Sequence, residues 1–311
     1  MPQKRPIVPQ FRPSSAIRSA AVWPSPLLRR DFVSQSLQQA VKGAQRLLRS
    51  AIHRFRPRHV VALFSGGHDS LVATHIASST KQFRFALHIN TGIGIPATRD
   101  FVLNTCARLL IPLREYRASD YRTPKGDPRP QRYADLVKER GFPGPAMHTK
   151  MYNRLKERPL RQMFRDLDRL PKDKVLLVTG VRSKESLRRL RHVEPLQMWE
   201  GTKVWVAPLW RFSKEHINEY VEREKLPRNL VVDLLHKSGE CLCGAFAHPG
   251  EKEEIRFWFP EVARRLDLLE EEVRACGFEW GWGQRPPRRN RNARRANESI
   301  LCASCIQDGT I

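Results

Sequence analysis

The chain has 311 residues, 40% hydrophobic and 28% charged, enough to bury a core without disulfide or metal staples. It contains no apolar stretch of the roughly 20 residues that a spanning helix takes, and its six cysteines are too few and too uneven for a small secreted disulfide scaffold. They read as reduced thiols of a cytoplasmic protein, and the formal net charge of +24 points to polyanionic partners, nucleic acid above all, with no membrane role.

Residues 1–30 carry Lys4, Arg5, Arg12, Arg18, Arg29 and Arg30, several prolines and no acid. This reads as a disordered basic arm. It shares the acid-free, Arg- and Ser-bearing character of an organelle transit peptide, but its prolines oppose the amphipathic helix such a peptide needs. From Ser34 a helical period begins, with Leu37, Val41, Ala44, Leu48 and Ile52 on one face. An apolar run of strand type over 59–64 leads through a glycine turn to a helix over 69–79. A second strand is expected over 83–90 and a helix over 96–110, with Pro96 in its first turn. A short third strand over 113–116 precedes a polar loop over 117–130. Residues 131–170 read as mostly helical, 174–179 as a strand, 204–207 as a strand and 213–224 as a helix. Strands alternating with helices imply βαβ units, hence a doubly wound, mostly parallel α/β sheet covered on both faces. Beyond 235 come a cysteine turn, a charged helical stretch over 251–276, and Trp280-Gly-Trp282-Gly. The tail over 285–297 has six arginines and no acid and runs on to Cys302-Ala-Ser-Cys305. No internal repeat is found.

Ser65-Gly66-Gly67-His68-Asp69-Ser70 lies between the first strand and the helix that follows it. Glycines let the backbone curl so that N–H groups face a concavity, and the helix start adds partial positive charge. Ser65 and Ser70 add hydroxyl donors. This is an anion cradle, but not a Walker A loop, because no Gly-Lys-Ser/Thr follows. His68, at the variable position, reads either as a phosphate contact or as a side chain that only points outward.

The loop resembles the SGGxDS loop of the PP-loop ATP pyrophosphatases. That superfamily includes phosphoadenosine phosphosulfate (PAPS) reductases, tRNA thiolation enzymes and the ATP pyrophosphatase of DNA phosphorothioation. Further segments are similar to the sulfonucleotide reductase branch and keep its order. Leu87-His-Ile-Asn90-Thr91-Gly92 with Pro96 resembles the second-strand segment, although Asn90 replaces the aspartate often found there. Thr179-Gly180-Val-Arg182-Ser-Lys-Glu185-Ser186, followed by Arg188, Arg189 and Arg191, resembles the "G.R..ES..R" segment. Pro208-Leu209-Trp210, Tyr220 and Leu226-Pro227 resemble "PL..W…Y…LP". The resemblance covers roughly residues 59–235. It implies an adenine nucleotide α-hydrolase-like, Rossmann-like domain over 31–235, between the arm of 1–30 and a Cys- and Arg-rich extension over 236–311.

The same resemblance implies that ATP and Mg²⁺ are bound by Ser65 to Ser70, by Asn90, Thr91 and Gly92, and by Gly180, Arg182, Glu185 and Ser186. Asp69 and Arg182 are the expected catalytic residues. Arg182 follows a strand C-terminus, where open α/β sheets bind ligands, and a guanidinium there can grip phosphate. Asp69 is expected to orient the loop or a Mg²⁺ hydration shell, or to act only as a helix-capping carboxylate. Lys150 and Lys156 read either as anion-site residues or as a basic helix face. The implied reaction is adenylation of a substrate with pyrophosphate release, followed by sulfur transfer to tRNA or DNA, with a sulfur donor protein as a possible partner. The alternatives are a sulfonucleotide reductase and a non-catalytic nucleotide- or nucleic-acid-binding module.

Cys241-Leu-Cys243 and Cys302-Ala-Ser-Cys305 form a C-x-C plus C-x-x-C set that can surround one metal site. Gly239 and Gly244 suit a tight ligand turn. Spacing alone does not separate zinc from iron–sulfur. The resemblance favours a [4Fe–4S] cluster, because several superfamily members carry one. Neither cysteine pair matches the reactive "ECG.H" tail of assimilatory reductases, which sets that activity behind adenylation. Cys106 and Cys276 read as structural, and Trp280 and Trp282 as core aromatics more than base-stacking ones. Oligomeric state is left open by the sequence.

Overall fold

The structure is a computed structural model and describes residues 36–121, 132–185, 195–199 and 201–287. It opens with α1 (Leu37–Phe55), capped by the Ser36 hydroxyl, which accepts from the Gln39 amide over 3.3 Å. The face bearing Leu37, Ala40, Ala44, Leu48 and Ala51 is buried. There follow β1 (His59–Leu63), α2 (His68–Ser78), β2 (Phe83–Asn90), α3 (Pro96–Arg108) and β3 (Leu113–Arg117). The helical middle comprises α4 (Tyr133–Arg140), α5 (His148–Tyr152), a π-helical turn over Asn153–Glu157, and α6 (Arg158–Asp166). Then come β4 (Val175–Val178), β5 (Leu196–Trp199), β6 (Lys203–Val206), α7 (Lys214–Arg223), α8 (Leu230–Leu235), α9 (Glu251–Trp258) and α10 (Pro260–Ala275).

The six strands form one sheet in the order β3-β2-β1-β4-β6-β5. All neighbours are parallel except β5, which runs antiparallel to β6 at the edge. The chain winds outward from β1 through β2 to β3, then returns to place β4 on the other side of β1. The order therefore reverses between β1 and β4, and a crevice opens at their C-terminal ends. The strands read as continuous apolar runs because both faces are covered. Val60, Ala62, Leu176, Val178 and Val206 pack under α1, α2 and α7. Val61, Leu63, Val175, Leu177 and Trp205 pack against Leu160, Met163 and Phe164 of α6. A third core joins Ile93, Ile95, Leu136, Phe142 and Leu155 to Val231, Leu242, Leu266, Val273 and Trp282.

Two expectations need correction. The edge strand β5 is not announced by any apolar run and forms by pairing across the turn at Gly201, whose φ is +68°. The helix expected over 251–276 is two helices, because Pro260 has no N–H to continue the first. Phe259 N donates back to Ile255 O over 2.7 Å and closes α9, and Pro260 begins α10. Trp282 is buried with Nε1 donating to Leu242 O (2.7 Å), and Trp280 donates likewise to Phe142 O (2.8 Å), so both are core residues. Among the described residues no helix is long and apolar enough to cross a membrane.

Candidate functional site

The Ser65–Ser70 loop leaves β1 at the crevice. Gly66 has φ +85°, and a Cβ there would meet Thr98 Cγ2 at 2.5 Å, so only glycine fits. Gly67 caps α2 with extended backbone. Leu71 N returns to Gly67 O (2.9 Å), while the amides of Gly66 to Ser70 find no acceptor among the described residues. These are the orphan donors of a helix start, aimed at the crevice. Ser70 Oγ donates to Gly67 O (2.8 Å) and lies 3.2 Å from Ser65 Oγ, which holds both hydroxyls at the loop.

β4 supplies the opposite wall. A Cβ at Gly180 would meet Ser70 N at 2.6 Å, so this glycine lets the end of β4 lie directly on the first turn of α2. Arg182, two residues on, is buried, and its Nε donates to Asp69 Oδ2 over 2.8 Å. Asp69 Oδ1 is buried with no donor among the described residues. Asp69 is thus the partner of Arg182 and keeps one oxygen lone pair set unused. Ser183 donates from both N and Oγ to Trp210 O (3.0 and 2.7 Å), which ties the Arg182 segment to Pro208-Leu-Trp210. Tyr220 Oη lies 2.9 Å from His75 Nδ1, fixing α7 against α2. Glu185 ends a single 3₁₀ turn over Ser183–Glu185. Ser186, Arg188, Arg189 and Arg191 lie outside the described residues.

His68 does not point outward. It is 2% exposed, and its Nε2 accepts from Asn229 N over 3.1 Å. A backbone amide only donates, so the neutral ring carries its proton on Nδ1. That Nδ1–H is buried without a partner among the described residues. Burial, reinforced by Arg228 and Lys214 and only partly offset by Asp233 and Asp69, pulls His68 down to about 4. Asn229 also donates from Nδ2 to Gly66 O (2.9 Å) and to Thr98 Oγ1 (3.3 Å). Sequence reasoning missed this residue. The signal was there locally: Pro-Arg-Asn before the apolar run of α8 is an N-cap, and Asn229 Oδ1 does accept from Val231 N (3.0 Å).

At the end of β2, Asn90 Oδ1 accepts from Gly92 N (2.9 Å), and its amide lies 3.4 Å from Glu115 Oε1. Thr91 is buried and donates to Glu240 O (2.8 Å), Ile95 N donates to Gly239 O (2.8 Å), and Thr98 Oγ1 donates to Ser238 O (2.5 Å). The segment 238–240 is therefore stitched along the β2–α3 connection, and the cysteine turn follows at once. Gly239 and Gly244 flank it in left-handed conformation. Cys243 is buried and Cys241 partly so, and the neighbouring Cys243 thiol together with burial pushes Cys241 well above its ordinary value. A small cavity of about 30 Å³ lies against both. Lys156, brought in by the π-helical turn, is buried and sits 3.1 Å from Glu240. It is therefore not part of a solvated face, whereas Lys150 is exposed. Cys106 is buried, Cys276 is exposed at the end of α10, and Cys302 and Cys305 lie outside the described residues. Among the described residues no group of three metal-ligating side chains occurs, so the Cys241–Cys243 pair alone supplies soft ligands here.

A glycine loop at the switch point of a doubly wound sheet, beside the Asp69–Arg182 pair, defines a Rossmann-like α/β protein. The model of the phosphoadenosine phosphosulfate reductase domain matches residues 59–239, and the chain belongs to that family. Among solved structures it is similar to phosphoadenylyl-sulfate reductase from Candida auris (19% identity, TM-score 0.44, 65% of this chain and 93% of that one). It is also similar to NMN synthetase from Francisella tularensis (16%, 0.45, 73% and 94%). A third likeness is to the U34-tRNA thiolase of Methanococcus maripaludis with its [4Fe–4S] cluster (16%, 0.37, 78% and 78%). No curated protein matches the sequence.

Proposed function

We propose that this chain binds MgATP at the Ser65–Ser70 loop and adenylates an acceptor with release of pyrophosphate, as the activating half of a sulfur transfer to tRNA or DNA. The observation that carries the reading is the loop itself: five amides without an acceptor and the buried, unpartnered His68 Nδ1–H lie on one glycine turn, with the Arg182 guanidinium bound to its Asp69. Preorganised donors of this kind stabilise charge that develops on a departing polyphosphate. An acceptor oxygen attacks the α-phosphorus, the bond to the β-phosphate oxygen breaks, and pyrophosphate leaves into the cradle. A sulfur nucleophile from a donor protein then displaces AMP. The unused, buried Asp69 Oδ1 is a hard oxygen suited to a Mg²⁺ hydration shell. The metal there would neutralise developing phosphate charge. Cys243, buried, and Cys241, partly buried, on a glycine-flanked turn fit a soft-metal site completed by Cys302 and Cys305. A [4Fe–4S] cluster or Zn²⁺ so held would supply thiolate-bound metal chemistry for sulfur handling.

The test is pyrophosphate release from MgATP by anaerobically purified protein, with and without tRNA or DNA. Release that rises with nucleic acid supports the reading, and none under any condition overturns it. The family match favours a second reading, a sulfonucleotide reductase that converts PAPS and a dithiol to adenosine bisphosphate, sulfite and a disulfide. Sulfite formation from PAPS and reduced thioredoxin would establish it.

A further inference from the structure

We propose that the cleft between the ends of β2 and β3 and the flank of α10 takes a single-stranded stretch of nucleic acid, with Arg265 holding one phosphodiester. The inference rests on the reading above and gives the acceptor its place. The cleft measures about 770 Å³, the size of a pocket for one nucleotide or slightly more. One wall is Asn90-Thr91-Gly92, so the cleft opens beside the C-terminal edge of the sheet where the ATP loop lies. Its floor is apolar, from Ile93, Leu268 and Leu269, and Leu268 is 54% exposed. Its rim carries Arg117, Arg132, Arg264 and Arg265. Apolar floor and cationic rim match a base with its phosphates.

Arg265 is the decisive residue. Its Nη2 donates to Gly94 O over 2.8 Å, which fixes the side chain, and no carboxylate is paired with it among the described residues. The two acids lining the cleft are already engaged, Glu261 with Arg264 and Glu272 with Lys138. Burial pulls the Arg265 guanidinium down, and no anion offsets it. A guanidinium with fixed orientation and spare donors is completed by a phosphate. Of the other rim arginines, Arg117 is held by the largely buried Glu115, while the exposed Arg132 and Arg264 pair with Asp135 and Glu261. Exposed pairs of that kind contribute little and exchange readily for phosphate. A concave cleft of this size admits an unstacked nucleotide and not a duplex, as chemistry on a base requires.

The experiment is fluorescence anisotropy of the full chain with labelled single strands of about 15 nucleotides, their duplexes and labelled AMP. The variants are Arg265→Glu, the double change Arg132→Glu with Arg264→Glu, and a control on the exposed face of α1, Lys42→Glu with Arg46→Glu. Single-strand affinity is expected to fall at least about tenfold in both cleft variants and less than about twofold in the control, with the salt slope reduced by roughly one to two. Equal losses in cleft and control variants overturn the proposal, as does duplex binding equal to that of single strands. AMP binding that falls in the cleft variants as far as strand binding does also overturns it and makes the cleft a small-molecule site, since AMP held at the ATP loop is indifferent to those changes. If Arg265→Glu fails to fold, the surface double variant decides. The outcome is separable from the adenylation reading, because neither Arg132 nor Arg264 touches the ATP loop. A wild-type chain that binds strands through the cleft but releases no pyrophosphate would refute only that reading.

Discussion

Arg182 and Asp69 hold each other across the crevice at 2.8 Å, with side chains only 9% and 19% exposed. The pair joins the segment after β4 to the first turn of α2, so one contact ties the Arg182 segment to the glycine loop. Removing either partner leaves a buried charge uncompensated, a loss of about 3 kcal/mol. Asp69→Ala and Arg182→Ala should each destabilise by that order in urea unfolding and should each abolish MgATP binding by calorimetry. The double variant should lose less stability than the two singles added together. Strict additivity would show that the pair is not coupled.

His68 predicts an acid-limb signature. Its folded value is about 4 against an ordinary 6.5, so between those values the unfolded chain binds a proton that the folded one excludes. The stability it supports is complete above about pH 6.5 and is lost as pH falls towards about 4. The slope is at most about 1.4 kcal/mol per pH unit. His68→Gln keeps an acceptor for Asn229 N and removes the titration. Unfolding curves of wild type and His68→Gln should therefore diverge across that window and run parallel above it. Parallel curves throughout would mean that His68 is accessible to protons in the fold.

The architecture was legible because a sheet buried on both faces writes its strands as unbroken apolar runs. Val60–Phe64 and Val175–Val178 are short, Val-rich runs of that kind. Pro96 and Ser213 marked helix starts, and a glycine pair between strand and helix marked the loop. What stayed hidden depended on partners far along the chain. Nothing near His68 says that Asn229 will bury it, and nothing near Lys156 says that Glu240 will neutralise it. β5 exists only because β6 offers an edge. The break before Pro260 was read through, because a charged periodic pattern continues on both sides of it.

Asn229 is the strongest test of that hidden layer. One side chain holds the Gly66 carbonyl, Thr98 and its own helix start, while its amide holds His68. Asn229→Leu should leave buried groups unpaired and cost about 1–3 kcal/mol for each one stranded. The loop should loosen as well, so MgATP affinity should fall further than stability alone explains. Gly66→Ala should act through the same contact, since its methyl would drive into Thr98. Normal ATP binding in Asn229→Leu would remove this residue from the site.

Lys156 and Glu240 carry the same logic to the cysteine turn. Their side chains are 6% and 5% exposed and 3.1 Å apart, and Glu240 Oε1 has no other partner among the described residues. The Glu240 carbonyl meanwhile accepts from Thr91 at the end of β2. The pair therefore sits between the end of β2 and the two thiols. Lys156→Met should cost about 3–5 kcal/mol by stranding the carboxylate, and adding Glu240→Met should recover most of that loss. Metal content separates this packing role from ligation. Cys241→Ser should strip iron or zinc from anaerobically purified protein, as read by elemental analysis, because it removes a ligand. The Lys156→Met, Glu240→Met chain should keep its metal, because it removes only a neighbour. Metal retained in Cys241→Ser would overturn the thiolate site, and metal lost in the double variant would make the buried pair part of what holds it.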